Sequence, residues 1–204
     1  MCEKKIPPSV QARLPIYLHF LRGFLSDGND SISSAALAKN LDFGEVQVRK
    51  DLALVSGAGK PRIGYRTNEL IAHIEEALGS RNETNAVVVG AGRLGMALLN
   101  YEGFVEFGLH LIAAFDRDET KISEKGQKPI LPLEKMEDFC KRNDVRIGVI
   151  CVPEKEASSA CEKLVSCGVS AIWNFAPVRL RSSEKIRIKN ENMAATLAVL
   201  ATNI

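Results

Sequence analysis

One stretch, residues 86–116, constrains the fold of this chain more than any other. It begins with an apolar run that ends in Gly-Ala-Gly-Arg-Leu-Gly, continues with helical spacing, and closes on a second apolar run and an aspartate. This order of strand, glycine turn, helix, strand and acid is how parallel α/β domains hold a dinucleotide. Gly90 would permit the sharp turn, Gly92 the approach of a pyrophosphate, and Gly95 close packing of the helix on the sheet. The stretch therefore predicts a Rossmann dinucleotide site, with a glycine turn that serves only packing as the alternative.

The acid at the end of this stretch bears on the choice of dinucleotide. Asp116 stands 21 residues beyond Gly95, about where a carboxylate accepts hydrogen bonds from the adenosine ribose. A carboxylate there favours NAD(H), because it would repel the 2′-phosphate of NADP(H). The neighbouring Arg117 weakens that preference slightly.

Beyond residue 116 the pattern of a parallel α/β sheet continues. Spacing predicts helices over residues 132–142 and 156–166, and strands over 146–152, 170–174 and 185–189. Ligands of such sheets bind beyond the carboxyl ends of the strands, so two of these ends could hold the nicotinamide; strand ends that merely turn are the alternative. The candidate cofactor-binding residues are Gly90, Ala91, Gly92, Arg93, Leu94, Gly95, Asp116, Arg117, Val152, Pro153, Asn174, Phe175 and Ala176.

The first 80 residues have a different pattern, in which short helices precede a glycine-rich segment. Apolar spacing predicts a helix over residues 9–25, and Ser33 is a candidate N-cap for a second. A turn of about three residues leads to a third helix over 45–55, which is the helix-turn-helix arrangement. Residues 56–66 predict a short β-hairpin, or wing; a linking helix over 69–78 and a linker over 79–85 follow.

Positive charge is concentrated on the third helix and the wing. Residues 47–66 contain five basic residues and one acid, whereas residues 1–80 contain ten and nine and the whole chain has a net charge of +2. Such a footprint suits phosphate contacts beside a helix that enters the major groove of DNA; a solvated helix face and a flexible loop are the alternative. The candidate DNA-binding residues are Ser33, Ser34, Gln47, Arg49, Lys50, Lys60, Arg62 and Tyr65.

The chain ends in an almost uncharged segment, residues 192–202, that predicts a helix. A helix that is apolar nearly all round must be buried. Burial against a second subunit is the simplest answer, with packing on its own domain as the alternative. A homodimer also suits a winged helix, because two recognition helices related by a dyad read a palindrome.

Composition argues against several other classes of protein. The five cysteines form no CxxC pair and the three histidines are scattered, so we expect no metal site and a reducing, cytoplasmic location. The sequence has neither a membrane-spanning run nor a signal-peptide core. The alternative among enzymes is an NAD-dependent oxidoreductase with an accessory helical domain. Such an enzyme needs an acid or base beside the nicotinamide. The candidate strand ends offer no His, Lys or Tyr, and we therefore predict a protein that is not an enzyme.

Taken together, the motifs of this chain resemble the Rex family of redox-sensing transcriptional repressors. The resemblance implies a winged-helix DNA-binding domain over residues 1–80, a Rossmann NAD(H)-binding domain over 81–190, and a helix over 191–204 that is exchanged between the subunits of a homodimer. It also implies that NADH and NAD⁺ compete for one site and that NADH releases the dimer from palindromic operators. The motifs are Lys5-Ile6-Pro7, Arg13-Leu14-Pro15-Ile16-Tyr17, Ile32-Ser33-Ser34, Gln47-Val48-Arg49-Lys50-Asp51-Leu52, Gly64-Tyr65, residues 90–95, Leu99-Asn100-Tyr101, Ala114-Phe115-Asp116, Val152-Pro153 and residues 174–180.

The chain departs from the family pattern at the residues that the resemblance assigns to the switch. The family usually has Asn where Arg93 stands, an aromatic-Gly pair at residues 55–56, and an Asp at the start of the last helix, where this chain has Asn192. In the family, that Asp belongs to a cross-subunit network with the residues at positions 13 and 101. With Asn192, the charge-assisted hydrogen bond to Arg13 becomes a neutral one, which is roughly half as strong. The alternative is therefore a repressor with little or no redox response, or one that discriminates poorly between the two cofactors. A winged-helix protein that keeps the Rossmann domain only as a dimerisation scaffold is a separate alternative. The residues assigned to the switch and interface are Arg13, Tyr101, Asn192 and Met193.

Overall fold

A computed structural model of the chain describes residues 6–61, 63–79, 83–125, 128–181 and 186–202. The chain divides into two compact units, Met1–Asn82 and Glu83–Ile204. Among the described residues, we find no helix with the length and apolar character needed to span a membrane.

The first unit is helical, with one small sheet. Its elements are α1 (Pro8–Gln11), α2 (Leu14–Ser26), β1 (Ser31–Ile32), α3 (Ser34–Leu41), α4 (Glu45–Ser56), β2 (Tyr65–Arg66) and α5 (Thr67–Leu78). The expected single helix over 9–25 is wrong in one respect, since it is divided between α1 and α2. Inside a continuous helix Pro15 would lose a hydrogen bond and clash with the preceding turn, whereas in the first turn of α2 it costs little. The expected cap is confirmed, because the Ser33 hydroxyl accepts a hydrogen bond of 3.0 Å from the Ala36 N–H.

The first unit contains a helix-turn-helix, formed by α3 and α4, and a wing between α4 and β2. Helices α3 and α4 pack against each other, and α2 packs on α5 through a buried face that includes Leu18 and Leu21. The wing closes with a bridge between Lys60 and Gly64, and β2 pairs antiparallel with β1. Gly64 has a φ of +80°, and a Cβ there would lie 2.3 Å from the Ile32 carbonyl oxygen. Only glycine therefore lets the wing approach β1 this closely.

The second unit is a six-stranded parallel sheet. Its elements are β3 (Thr84–Val89), α6 (Arg93–Leu99), β4 (Leu109–Asp116), β5 (Ile130–Pro132), α7 (Met136–Arg142), β6 (Val145–Ile150), α8 (Glu154–Ser166), β7 (Ala171–Asn174), β8 (Arg187–Asn190) and α9 (Met193–Ala201), with 3-10 helices at Glu102–Phe107, Glu119–Lys121 and Leu133–Lys135. The strand order is β5-β4-β3-β6-β7-β8, so the chain leaves the central strand β3 first to one side and later to the other. The expected helix over 132–142 is wrong in its first part, where strand β5 ends and a 3-10 helix precedes α7.

Both faces of the sheet are buried, which explains its continuous apolar strands. On one face Val87, Phe115 and Ile150 join a core that includes Leu164 of α8. On the other face Val88 packs with the residues around α6. Helices on both sides of a parallel sheet, with a switch point beside β3, define a doubly wound α/β fold.

Helix α9 stands apart from this core. None of its residues is buried, and Met193, Leu197, Val199 and Leu200 are between 56% and 68% exposed. Packing of this helix on its own domain, the alternative raised by the sequence, is therefore not what the chain does.

Candidate dinucleotide site and nucleic-acid interface

A cavity of about 480 Å³ opens at the switch point, beyond the carboxyl ends of β3, β4 and β6. This is where open α/β sheets bind their ligands. Its lining combines the glycine turn, the loop after β4 and the start of α8. The lining residues are Val89, Gly90, Gly92, Leu94, Phe115, Asp116, Arg117, Asp118, Lys121, Leu133, Cys151, Val152, Pro153, Glu156 and Phe175.

The three glycines of the turn are required for different reasons. Gly90 has a φ of +102°, and a Cβ there would lie 2.6 Å from the Cys151 carbonyl oxygen. A Cβ at Gly95 would lie 1.9 Å from the Gly90 carbonyl oxygen, so this glycine allows α6 to pack against the turn. A Cβ at Gly92, in contrast, would meet no protein atom within 4 Å. The protein itself does not need glycine at position 92, but a ligand that approaches the backbone there does.

Asp116 is held by three donors at the end of β4. Its carboxylate accepts hydrogen bonds from the Ala91 N–H at 2.8 Å, the Asp118 N–H at 2.9 Å and the Lys121 ammonium at 3.0 Å. Burial raises the pKa of Asp116, but the bonds from Asp118, Lys121 and Ala91 outweigh it and leave the pKa below its ordinary value. The residue is therefore a fixed carboxylate at neutral pH, only 8% exposed and directed at the glycine turn.

Two cationic side chains line the cavity beside the end of β4. Arg117 forms an ion pair of 2.7 Å with Glu156 of α8, which links the loop after β4 to the opposite wall. Lys121 pairs with Asp116 and lies 3.8 Å from Asp118. The rim therefore combines negative and positive charge, which suits ribose hydroxyls beside phosphates.

Eight of the thirteen expected cofactor residues line the cavity, and five do not. Ala91 has its N–H engaged by Asp116, Arg93 is exposed outside the cavity, and Gly95 is a packing residue. Asn174 and Ala176 were expected at the nicotinamide side, and their side chains are instead buried. The residues that do not line the cavity are Ala91, Arg93, Gly95, Asn174 and Ala176.

Asn174 has a structural task that explains its burial. Its amide donates to the Val178 carbonyl at 2.7 Å and to the Asn190 side chain at 2.9 Å, and its oxygen accepts from the Ala176 N–H at 3.0 Å. These bonds tie the loop after β7 to β8 and place Phe175 against the cavity.

Several lining residues could not be picked out from motifs. Lys121, Cys151 and Glu156 line the cavity although no motif marks them. The polar loop that follows β4 was the signal for Lys121, since a cation there can reach a carboxylate at the strand end. Burial raises the pKa of the Cys151 thiol to about 12, so it is a neutral wall residue and not a nucleophile.

A row of aromatic rings connects the cavity to the surface of the second unit. Phe175 contacts Trp173 with ring centroids 4.4 Å apart, Trp173 contacts Phe104 at 6.0 Å, and Phe104 contacts Tyr101 at 5.0 Å. The Trp173 indole also donates to the Glu191 carboxylate at 3.1 Å, just before α9. The only tryptophan of the chain therefore lies one ring away from the cavity.

Helix α4 presents the side chains expected of a recognition helix. Gln47, Arg49 and Lys50 are exposed, as is Lys60 on the wing. Also on α4, the Asp51 carboxylate is 3% exposed and accepts hydrogen bonds of 2.7 and 2.9 Å from Arg13.

The remaining candidates for DNA contact have other positions. Tyr65 is a correction: it is 8% exposed, its hydroxyl donates to the Gly57 carbonyl, and it supports the wing from beneath. The Ser33 side chain caps α3, and Ser34 follows it in the first turn. Arg62 lies outside the described residues.

The residues assigned to the switch are distributed over both units. Arg13 pairs with Asp51, and Tyr101 is 58% exposed at the end of the aromatic row. The Asn192 side chain accepts a hydrogen bond of 2.9 Å from the Ala195 N–H and so caps α9, where Met193 is exposed. Within one chain, Asn192 therefore acts as a helix cap.

A helix-turn-helix unit and a dinucleotide-type α/β unit in one chain define a class of nucleotide-responsive DNA-binding proteins, and comparison with known proteins identifies the family. Residues 5–53 match the family described as "Putative DNA-binding protein N-terminus", and residues 81–178 match the CoA binding domain family. The redox-sensing transcriptional repressor Rex of Carboxydothermus hydrogenoformans is 39% identical over 98% of this chain and 97% of its own length. That of Treponema denticola is 38% identical over 98% and 96%. This chain belongs to the Rex family.

Solved structures agree with this assignment. The Rex-family repressor RSP, in complex with β-NAD⁺ and operator DNA, matches with a TM-score of 0.90 and 30% identity over 98% of this chain and 93% of that chain. RSP in complex with β-NADH matches with a TM-score of 0.85 and 30% identity over 98% and 95%. The predicted fold class, a parallel α/β domain preceded by a DNA-binding domain, is confirmed.

Proposed function

We propose that this protein is a homodimeric repressor that binds palindromic operator DNA and is released from it by NADH. The observation that carries the proposal is that one chain combines an open glycine turn beside a fixed carboxylate with an exposed basic recognition helix. Both the DNA and the nicotinamide pool that such a protein would respond to are in the cytoplasm, where we expect it to act.

The residues of the cavity fit a dinucleotide. The space over Gly92 could receive the pyrophosphate, and Asp116 with Lys121 could bind the adenosine ribose. Phe175 and Val152 offer an apolar wall on the far side of the turn. When bound, the cofactor would supply a nicotinamide ring whose charge differs between the reduced and oxidised forms.

This apolar wall supports discrimination between the two redox states. Phe175 and Val152 would accept the neutral reduced ring, whereas burial of the positively charged oxidised ring costs desolvation. The dimer responds only to a difference in affinity between its DNA-binding and released states. A 100-fold difference in NADH affinity between these two states corresponds to about 2.7 kcal/mol, which is of the order of known allosteric couplings.

The cavity gives little support to the oxidoreductase. Asp116 and Lys121 are engaged with each other, and Cys151 is a neutral thiol. A general acid or base poised for proton transfer to a substrate is what catalysis would need. We therefore propose a binding protein, and turnover of NADH with 2-hydroxy acids or aldehydes would contradict this.

One observation favours a second candidate function, a repressor without redox response. Asn192 is neutral and already serves as the cap of α9, so its contact with a cation of another subunit would be weak. In that case the chain binds operator DNA equally well with and without NADH.

The deciding experiment is a titration of a protein–operator complex with NADH, NAD⁺ and NADPH, on a duplex selected by this protein from a random pool. We expect NADH to lower the operator affinity by at least tenfold and NAD⁺ to leave it almost unchanged. No change at saturating NADH, with NADH binding shown by quenching of Trp173, would support the second candidate. Failure to bind any duplex would contradict both.

A further inference from the structure

The guanidinium of Arg13 lies between two side chains of the recognition helix. Its Nε and Nη2 donate to the Asp51 carboxylate, and the Tyr17 hydroxyl donates to the same carboxylate at 2.9 Å. Gln47 precedes Asp51 by one helical turn, so the two side chains project on the same side of α4. Arg13 is therefore fixed by Asp51 directly against the amide of Gln47.

This placement determines which way the Gln47 amide faces. With its oxygen toward Arg13, the amide accepts from Nε at 2.9 Å and from Nη1 at 3.3 Å. The reverse orientation would set amide donors against guanidinium donors, since a guanidinium has no acceptor. The oxygen of Gln47 is thus engaged, and the NH₂ group is the part that remains for another partner.

Gln47 is exposed in the first turn of α4. Residues at the start of a recognition helix are those that contact base edges. A glutamine with both groups available pairs with adenine, accepting from N6 and donating to N7. A glutamine that offers only NH₂ instead suits an edge with adjacent acceptors, and guanine presents two, N7 and O6.

We propose that Gln47 reads guanine as a hydrogen-bond donor, and that Arg13 is the positioning residue that enforces this preference. The inference rests on the proposed operator binding and adds to it the base chemistry at one position of each half-site. Arg13 acts entirely through Gln47 in this role, and its pairing with Asp51 keeps it in place.

The test uses the full-length protein and the duplex that it selects, with 7-deazaguanine placed at one guanine at a time. This analogue lacks only the N7 acceptor. For the wild type we expect one symmetry-related pair of guanines at which the analogue lowers affinity roughly tenfold. Gln47→Glu keeps an oxygen for Arg13 and removes both donors, so this variant is expected to lose that sensitivity. Gln11→Glu, an identical change at an exposed position of α1, is the matched control and should keep it.

Arg13→Lys tests the positioning role, because an ammonium can neutralise Asp51 but cannot also hold the amide plane. We expect this variant to lose preference between guanine and adenine at the same position. If Arg13→Lys instead lowered the affinity equally for every duplex, the role of Arg13 would be merely structural. Retained sensitivity to 7-deazaguanine in Gln47→Glu would overturn the proposal while leaving operator binding intact. A wild type that does not prefer its selected duplex to random DNA would refute the proposed function itself.

Discussion

The backbone N–H of Ala91 donates a hydrogen bond of 2.8 Å to the carboxylate of Asp116. The bond connects the glycine turn after β3 with the end of β4, two segments that a dinucleotide would contact together. Asp116 thus has a structural task besides the ribose contact that its position in the motif indicates, because it fixes the backbone of the turn.

Replacement of this carboxylate should weaken cofactor binding by more than one lost contact. In Asp116→Asn, one carboxylate oxygen becomes an NH₂ group among the donors Ala91 N–H, Asp118 N–H and Lys121. Hydrogen bonds to charged groups contribute about 1.5–3 kcal/mol, so the Kd for NADH should rise roughly 10- to 100-fold. Energy transfer from Trp173 to bound NADH measures this, and NAD⁺, which does not absorb tryptophan emission, gives the baseline. Asp138→Asn, on the exposed surface of α7, should leave the Kd unchanged; an unchanged Kd in Asp116→Asn would contradict the assignment.

Two glycines of the turn should respond in opposite ways to the same substitution. Gly92→Ala adds a methyl group where no protein atom lies within 4 Å, so the fold should be unaffected and NADH binding lost. Gly95→Ala places a methyl 1.9 Å from the Gly90 carbonyl oxygen, so the Rossmann unit itself should be destabilised. Urea unfolding followed by Trp173 fluorescence, with NADH titration in parallel, distinguishes the two effects. A Gly92→Ala protein with normal NADH affinity would place the ligand elsewhere.

The core of the site could be predicted because it is local in sequence. A glycine turn between two apolar runs specifies strand, turn and helix, and the spacing to Asp116 follows from one βαβ unit. Strand β5 escaped prediction because three residues are too few to show alternation, and it is defined by its pairing with β4 and by the bridge from Ile130 to Ser123.

Contacts between distant residues could not be predicted from spacing. Arg13 and Asp51 are 38 residues apart, and only the packing of helices brings them together. Tyr65 and Asn174 belong to recognisable motifs, yet their polar groups turn inward to carbonyls of neighbouring loops. The motifs therefore marked these residues as important. They did not show whether each side chain contacts a ligand or forms hydrogen bonds with the backbone.

The buried hydroxyl of Tyr17 should make the first unit sensitive to alkali. Burial, followed by the hydrogen bond to Asp51, raises the pKa of Tyr17 from 10.0 to about 12. Because the folded state holds this proton more tightly, its stabilising contribution is complete below pH 10 and is lost as the pH rises toward 12. The loss should be about 1.4 kcal/mol per pH unit in that window.

Tyr17→Phe tests this assignment directly. The variant loses a hydrogen bond to a buried carboxylate and should be less stable at neutral pH by about 1.5–3 kcal/mol. Its stability should then fall less steeply than that of the wild type between pH 10 and 12, as measured by urea unfolding with circular dichroism. In absorbance titration the tyrosinate step near pH 12 should disappear, whereas Tyr101→Phe, at an exposed ring, should leave that step in place. A wild type whose tyrosines all ionise near pH 10 would refute the buried role.

The exposed apolar helix α9 should hold the dimer together. Leu197 and Leu200 are 68% and 62% exposed in a single chain, which is untenable in water for a helix that is apolar nearly all round. A charge at these positions, in Leu197→Lys with Leu200→Lys, should therefore produce monomers, detected as a halved mass by light scattering. Affinity for the palindrome should fall to that for an isolated half-site, because the two recognition helices are no longer linked. Val105→Lys introduces the same charge at another exposed apolar residue and should leave both mass and operator affinity unchanged. If the double variant remained dimeric with unaltered Trp173 fluorescence, the subunits would have to meet through a surface other than α9.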